Sequence, residues 1–573
     1  MKFEIINQNP QRNIEIGKRI GKDGVLYLYI KMTQSAATVP EAFSLKWKSH
    51  VKDCFSVWAP DYKIRQLGPN WAKRTTPSRL AEWMPLHTLV SATGKNRMAI
   101  AVSDAVTPIS IATGVCEEDA CFDCVVNFFT SAVSARKEYE AVVRIDTRDI
   151  PYYDSIYDVV SWWENDCGYK PTSVPDHARL PMNSLWYSYH QELDVEDIIE
   201  ECRLSKKTGM DTVIVDDGWQ TDDNNRGYAF CGDWEVAKSK IPDMKEFVQR
   251  VHDTGMKFML WYSVPFMGIN SKNYARFRHM LLDESGNNKT YWALDPRYKE
   301  VREFLIDTYK SALLNWGIDG LKLDFIDSFV LKGKSLEYDE KRDYQSLEDA
   351  INVLMIDITS ALKEINSDVL IEFRQTYVGP AIRQYGNMLR VGDCPNDAIV
   401  NRSNIVDLRL TSGETAVHSD MIMWNYDESV ESAAIQIASV LYSVPQISMK
   451  LKQLNDEHQK MLSFYLDFWR KHRNTLINGR IIAENPEIGY SIVCAKGKGQ
   501  SIYTAYTDCL IDGTNEKEVI AVNATRHSEL IFKNLKDRNY RIVNCMGEEV
   551  AKGTLAGELS ALKVPLCGIV FVE

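Results

Sequence analysis

Hydrophobic positions along the chain repeat in three different ways. From residue 1 to about 150, short runs of apolar, β-branched and aromatic residues (VLYLYI, TLVSA, MAIAVSD, CVVNFF, YEAVVRI) are separated by turns rich in Gly, Pro, Asn and Asp. That alternation predicts an N-terminal antiparallel β-sandwich. Residues 479–573 repeat the pattern on a smaller scale (GYSIVCA, SIYTAYT, EVIAVNA, ELIFKNL, YRIVNCM, GIVFVE) and predict a smaller C-terminal all-β domain with antiparallel strands. Residues 151–182 read as a linker.

The middle, residues 183–478, has a different rhythm. TGMDTVIVDDGW from Thr208, TGMKFMLWYS from Thr254 and WGIDGLKLDF from Trp316 share one punctuation. In each, a helical stripe stops at a glycine (Gly209, Gly255, Gly317), as expected for a left-handed cap. A nearly continuous apolar run follows, the mark of a parallel strand covered on both faces. Helical stripes such as Val195, Ile198, Ile199, Cys202 behind Asp194, or Val301, Phe304, Leu305, Tyr309, Ala312, Leu313, Trp316, separate the runs. Eight strands are predicted, beginning near Leu185, Val213, Phe258, Leu321, Val369, Met388, Val417 and Gln446. Eight βα units fit a central α/β barrel, a (β/α)8 or TIM barrel. An open doubly wound sheet is the alternative. No G-x-G-x-x-G opens a helix after the first strand, which weakens a dinucleotide-binding reading.

Composition narrows the classes. The 573 residues are 45% hydrophobic and 25% charged, as in globular proteins, with a net charge of −12. So acidic a chain is a poor polyanion binder, so no nucleic acid partner is expected. No stretch of about 18 apolar residues is present to span a membrane. The first residues, MKFEIINQNPQRNIEIGKR, lack the apolar core of a secretory signal. The expected compartment is therefore the cytoplasm, or a secreted or periplasmic one if a signal has been removed. A homo-oligomer is compatible with the sequence. Cys121 and Cys124 form a C-x-x-C pair near Cys116, but no second pair follows at zinc-site spacing, and the run alternates like a strand. Buried thiols in a reducing compartment are the reading taken, with no metal.

In a barrel, chemistry collects at the C-terminal ends of the strands. Those positions read Trp186 to His190 (WYSYH) on strand 1, and Asp216, Asp217, Gly218 and Trp219 on strand 2. Trp261, Tyr262 and Ser263 close strand 3. Strand 4 gives Lys322 and Asp324, and strand 5 Glu372, Phe373, Arg374 and Gln375. Strand 6 gives Arg390, Asp393 and Asp397, and strand 7 His418, Asp420 and Trp424. The census is acidic and aromatic and poor in His. Carboxylates that accept from hydroxyls, with indole faces for the apolar side of a pyranose, suit a sugar. Lys322 and Asp324 are two apart on one strand and point the same way, so the ammonium should keep Asp324 ionised, as a carboxylate nucleophile requires. A buried structural Lys–Asp pair explains the same spacing. Asp216–Asp217 could bind neighbouring hydroxyls or cap a turn, and Trp234 reads as core. Asp393 is the candidate second carboxylate, Asp397 its rival. Arg390 beside Asp393 should depress its pKa, which is wrong for a general acid. The charged segment 331–345, after strand 4, reads as a solvated loop rather than a lid.

VDDGWQ, GDW, KFMLWYS, GLKLDF and RVGD, in that order, resemble glycoside hydrolase family 36, the α-galactosidases (melibiases) and the raffinose-synthase group. The resemblance implies a retaining, exo-acting α-glycosidase, most simply an α-galactosidase, with α-linked oligosaccharides or glycosides as substrates and no cofactor. It maps the nucleophile onto Asp324 and the acid/base onto Asp393. It maps sugar contacts onto Asp216, Asp217, Lys322 and Trp261. Trp186, Trp219, Arg374, Arg390 and Asp420 join the substrate-binding candidates from their strand-end positions. HSDMIMW is similar to a stretch of the raffinose-synthase group, which keeps a galactosyl transferase open. Another glycone (α-N-acetylgalactosamine, α-glucose, β-L-arabinopyranose) and a non-catalytic sugar-binding barrel are further alternatives. Two departures from the family pattern concern the glycone. Arg374 and Gln375 stand where a Cys and a Gly-rich turn are usual, and Gly392 replaces a Ser.

Overall fold

A computed structural model describes residues 1–7, 12–61, 65–282, 289–331 and 339–573. Part of the charged segment 331–345 lies outside the described residues. Eight parallel strands close into a barrel: β1 (Met182–Ser184), β2 (Thr212–Val215), β3 (Lys257–Ser263), β4 (Gly320–Asp324), β5 (Leu370–Arg374), β6 (Met388–Arg390), β7 (Ala416–Ile422) and β8 (Val444–Ile447). The closure is β1 to β8, with Met182 opposite Gln446. No open doubly wound sheet forms. The glycine punctuation works as expected: Gly209 and Gly317 end their helices at φ 102° and 74°, in the left-handed region.

Helices follow β1 (α1, Val195–Thr208), β2 (α2, Met244–Asp253), β3 (α3, Lys299–Trp316), β4 (α4, Leu347–Ile365), β6 (α5, Ala398–Thr411), β7 (α6, Val430–Val440) and β8 (α7, Asp456–Asn478). After β5 there is only a 3-10 turn, Ile382–Gln384. The helix Tyr152–Asn165, inside the segment read as a linker, covers that sector. It buries Tyr152, Ile156, Val159, Val160, Trp162 and Trp163. Its Glu164 pairs with Arg383 at 3.0 Å, and the chain beyond it hydrogen-bonds the same turn, Thr172 N to Arg383 O at 3.2 Å.

Strand 1 is earlier and shorter than the sequence suggested. WYSYH is a short helix, Trp186–Tyr189, because Ser448 Oγ accepts from both Tyr187 N (3.0 Å) and Ser188 N (3.1 Å) and so caps a turn.

The N-terminal domain packs a five-stranded sheet on a six-stranded one around a core of its own, including Leu28, Trp47, Ile100, Phe122 and Val143. CFDCVVNF is indeed one of its strands. The C-terminal domain has a seven-stranded and a three-stranded sheet. It is not wholly antiparallel: Gln500–Ala505 runs parallel to Glu518–Asn523, since the chain between them crosses to the second sheet as Leu510–Asp512.

Several contacts tie the sandwich to the barrel. Asp407 on α5 accepts from Trp58 Nε1 at 3.0 Å, from Arg65 and from Tyr490 of the C-terminal domain, so three domains meet on one buried carboxylate. At the C-terminal end of the barrel strands, Arg79 donates to the carbonyls of Asp327 (2.8 Å) and Phe329 (3.0 Å) and to Glu348 on α4 (3.2 Å). Trp83 N donates to Thr376 O at 2.9 Å. The sandwich therefore holds the loops after β4 and β5.

Candidate active site

Period-2 alternation sorts the barrel interior into layers. At the N-terminal end Met182, Ile214, Met259, Leu370, Met388 and Ala416 form a closed apolar plug. Two residues further along the same strands the side chains turn polar: Trp261, Lys322, Glu372, Arg390 and His418. Two further, at the mouth, stand Asp324, Arg374 and Asp420, with Asp216 just past the end of β2. Burial holds the His418 imidazole down to about 3, so it stays neutral, its Nε2 against Ala178 O at 2.8 Å.

Asp324 ends β4 and is buried. Its Oδ2 accepts from Trp261 Nε1 at 2.9 Å. Its Oδ1 accepts from Phe325 N at 2.8 Å, from Arg374 Nε and, at 3.4 Å, from Tyr377 OH. Burial alone would raise its pKa. Arg374 first and Lys322 second outweigh it, and the carboxyl lies below its ordinary value. The ionised state expected of a nucleophile is therefore present, but its contact cation is Arg374. Lys322 gives its hydrogen bond elsewhere, to Asp216 Oδ2 at 2.6 Å. Spacing showed which way Lys322 points, not which carboxylate it takes. Burial disfavours the Lys322 ammonium, yet Asp216 more than compensates and the lysine stays charged.

Asp217 lies beside Asp216, whose Oδ1 accepts from Asp217 N at 2.9 Å. Amides of Gln191 (2.8 Å) and Gln220 (2.6 Å) donate to the two oxygens of Asp217. Burial nevertheless pushes its pKa up to about 6, helped by Asp216. Gly218 is required here. It adopts φ 114°, and a Cβ would come within 2.6 Å of Gln191 Cα.

Asp393 follows β6 at the rim, its side chain 51% exposed and held by Arg390 Nη1 at 2.7 Å. Burial pushes its pKa up, but Arg390, Arg374 and Lys322 together hold the carboxyl well below the usual range, the conflict expected from its neighbour. The same Arg390 nitrogen binds Asp420 Oδ1 at 2.7 Å. Asp397 is a helix cap. It accepts from Val400 N at 2.9 Å at the start of α5, which accounts for its carboxylate without substrate.

Two sugar-contact candidates sit beneath the mouth. Trp219 is 0% exposed, wedged against Trp234, Tyr262 and Trp316, with its Nε1 on Trp261 O at 2.9 Å. It shapes the floor under Trp261 and cannot stack on a sugar. Trp234 joins it in the core, as expected. Asp420 is also fully buried, its Oδ2 filled by Cys394 N (2.7 Å) and Tyr187 OH (2.9 Å). It anchors Arg390 and the loop bearing Asp393. Trp186 is half-buried, edge-on to His190 at 4.9 Å between centroids. Sequence reasoning missed Tyr187, Gln191, Gln220, Phe325 and Tyr377. Tyr187, Gln220 and Phe325 were visible in motifs already singled out, whereas Gln191 and Tyr377 lie on loops with no spacing signal.

Among the described residues no group of three or more His, Cys, Asp or Glu could hold a metal ion.

Comparison with known proteins points the same way. An α-galactosidase of Lactobacillus acidophilus is 27% identical over 156 residues, 26% of this chain and 21% of its own length. A bifunctional α-galactosidase/sucrose kinase of Mediterraneibacter gnavus is 28% identical over 174 residues, 28% and 18% of the two lengths. The aligned segments thus span about a fifth of the curated relatives. Among solved structures, the α-galactosidase AgaA of Geobacillus stearothermophilus in complex with raffinose superposes with a TM-score of 0.67 at 13% identity, covering 98% of this chain and 81% of that one. The galactosidase domain of the kinase fusion gives 0.63 at 14%, covering 98% and 80%. The Melibiase family model matches residues 176–479, the whole barrel and more than half of the sequence, and the chain belongs to that family.

Proposed function

We propose that this protein is an α-galactosidase that cleaves α-galactosides with retention of configuration. The observation that carries the reading is Asp324: a buried, ionised carboxylate fixed at the end of β4 in a Melibiase barrel, with a second carboxylate, Asp393, at the end of β6. Asp324 attacks the anomeric carbon as the leaving oxygen takes a proton from Asp393. The products of this step are a glycosyl-aspartate ester and the free aglycone alcohol. Asp393, now a base, removes a proton from water, which attacks the same carbon and restores Asp324. The overall result is hydrolysis with two inversions.

Lys322, Asp216 and Asp217 bind hydroxyls of the glycone, and Trp261 holds Asp324 in place from the layer beneath. Asp393 must gain a proton that the free site denies it. Glycone binding expels water from around Asp393, which raises its pKa. The names of the relatives support an α-galactoside, and the raffinose complex of AgaA supports an oligosaccharide of that type.

A panel of aryl α- and β-glycosides, with proton NMR of the first-formed sugar, tests the proposal. Turnover of the α-galactoside with α-galactose appearing first is expected. β-Galactose appearing first would remove the double displacement, and an inert α-galactoside would remove the activity. Repeating the assay with a sugar acceptor separates water from a second saccharide as the receiving nucleophile.

A further inference from the structure

The two oxygens of Asp324 are loaded unequally. A carboxylate oxygen has two in-plane acceptor sites. Oδ1 is filled by Phe325 N and Arg374 Nε, with Tyr377 OH at the edge of reach. Oδ2 accepts a single hydrogen bond, from the Trp261 indole. Only Oδ2 has electrons free to form a bond.

Arg374 is what keeps this asymmetry. It projects inward from the last position of β5, and its guanidinium lies over the Phe325 ring at 4.8 Å. Phe325 is itself held at φ 65°, a left-handed backbone that costs a non-glycine residue and turns its N–H back onto Oδ1. With Nε committed to Asp324 and one face committed to the ring, the terminal nitrogens of Arg374 remain. Among the described residues neither has a protein partner, and the side chain is 16% exposed at the mouth. The other cations of the site are taken: Lys322 by Asp216, Arg390 by Asp393 and Asp420.

We infer that Arg374 is the positioning residue of the nucleophile, turning Oδ2 toward the sugar, and the residue that recognises a free hydroxyl on the carbon next to the reacting one. The inference rests on the α-galactosidase reading. A sugar whose anomeric carbon faces Oδ2 brings one of two neighbours to the Oδ1 side: its ring oxygen or the 2-hydroxyl. The ring oxygen becomes electron-poor in an oxocarbenium-like transition state and is a poor partner for a guanidinium. The 2-hydroxyl is a good one, and bonds to it strengthen in the transition state. A bulky 2-acetamido group would need the space of the Arg374–Phe325 stack, and Arg374 cannot leave without releasing Asp324.

The test uses R374Q and R374K on three aryl α-galactosides: the parent, the 2-deoxy and the 2-acetamido-2-deoxy sugar. In R374Q the parent is expected to lose kcat/KM by on the order of 100-fold. The 2-deoxy sugar should lose about 10-fold or less, because the lost contact was never made. The acid limb of kcat/KM should move to higher pH, since Lys322 is then the cation left to oppose the burial of Asp324. R374K, which keeps the charge, should restore the limb but not the discrimination between parent and 2-deoxy sugar. The 2-acetamido sugar should be poor with the wild type and gain relative to the parent in R374Q. Equal losses on parent and 2-deoxy sugars with an unmoved limb would mark a merely structural role and overturn the inference. So would an undiminished R374Q. In both cases the wild type still turns over the parent, so the α-galactosidase reading stands. A wild type inert on the parent would overturn both.

Discussion

Arg79→Ala tests whether the sandwich holds the floor of the site by charge. Arg79 lies 250 residues before the loop it grips, and Glu348 is its buried partner. Among the described residues Glu348 Oε2 has no hydrogen-bond donor. Burial first pushes the carboxyl up to about 7 from its ordinary 4.5, with Arg79 opposing the rise. Between those two values the folded protein holds a proton that the unfolded chain has lost. This group's contribution to stability is therefore full below about 4.5 and falls as pH rises through 7. Without Arg79 the folded-state pKa climbs further, so the fall continues to higher pH. At pH 5 Glu348 is neutral with or without Arg79, and the variant loses the bonds to the Asp327 and Phe329 carbonyls, to Glu82 and to an uncharged Glu348, about 1–3 kcal/mol in all. At pH 9 it must also strand a buried carboxylate, for a total of about 3–5 kcal/mol. The added penalty of about 2 kcal/mol is roughly 30-fold in the folding equilibrium. Denaturant unfolding followed by tryptophan emission at pH 5, 7 and 9 measures it. A penalty that is flat with pH, or larger at pH 5, refutes the argument. Turnover should also fall, because the loosened loop begins next to Asp324.

Four further outcomes are expected. Asp324→Ala should lose turnover on an activated α-galactoside by on the order of 1000-fold or more, and survival of most of the rate would end the nucleophile assignment. In the pH profiles, the basic limb of kcat should lie at least about one unit above that of kcat/KM, because Asp393 is depressed in the free enzyme and relieved in the complex. Coincident limbs would contradict that sequence of events. Asp217, pushed up to about 6, loses its charge as pH falls through that value, so KM should rise from pH 7 to pH 5. Asp217→Asn should bind the sugar more weakly but with a flat KM over that range. Asp407→Asn should lower stability by about 3–5 kcal/mol, because Arg65 is left buried without its anion. A thermal midpoint equal to that of the wild type would show the three-domain junction to be energetically idle.

The barrel was readable because its signals are local. Glycine caps end helices, and apolar strands sit between them, so seven of the eight strands begin within two residues of where hydrophobicity placed them and the first begins three residues early. The helix Tyr152–Asn165 carried its own signal, with Tyr152, Ile156, Val159, Val160 and Trp163 at helical spacing behind Pro151. It was hidden by lying between two domains, where a linker was expected. Inside the site, spacing along β4 correctly put Lys322 and Asp324 on one face. It could not choose between Asp216 and Asp324 as partner, because that choice depends on how β2, β3 and β4 close across the interior. Trp219 and Asp420 illustrate the same limit. Strand-end position brings a side chain near the mouth, but a residue's depth is set by its neighbours: Trp234 and Tyr262 over Trp219, Arg390 over Asp420. Tyr377 and Gln191 reach the carboxylates from loops, where no periodicity reports direction.

The absence of a helix after β5 has a consequence for how this protein can be taken apart. The wall beside β5 is roofed by chain that precedes the first strand and is clamped there by Glu164 on Arg383. A cassette cut at β1 would therefore carry an open seam along one sector, with the inner face of α5 and the Ile382–Gln384 turn bared to water. Shuffling this catalytic unit onto another scaffold should succeed only when the cut is moved back to include residue 151.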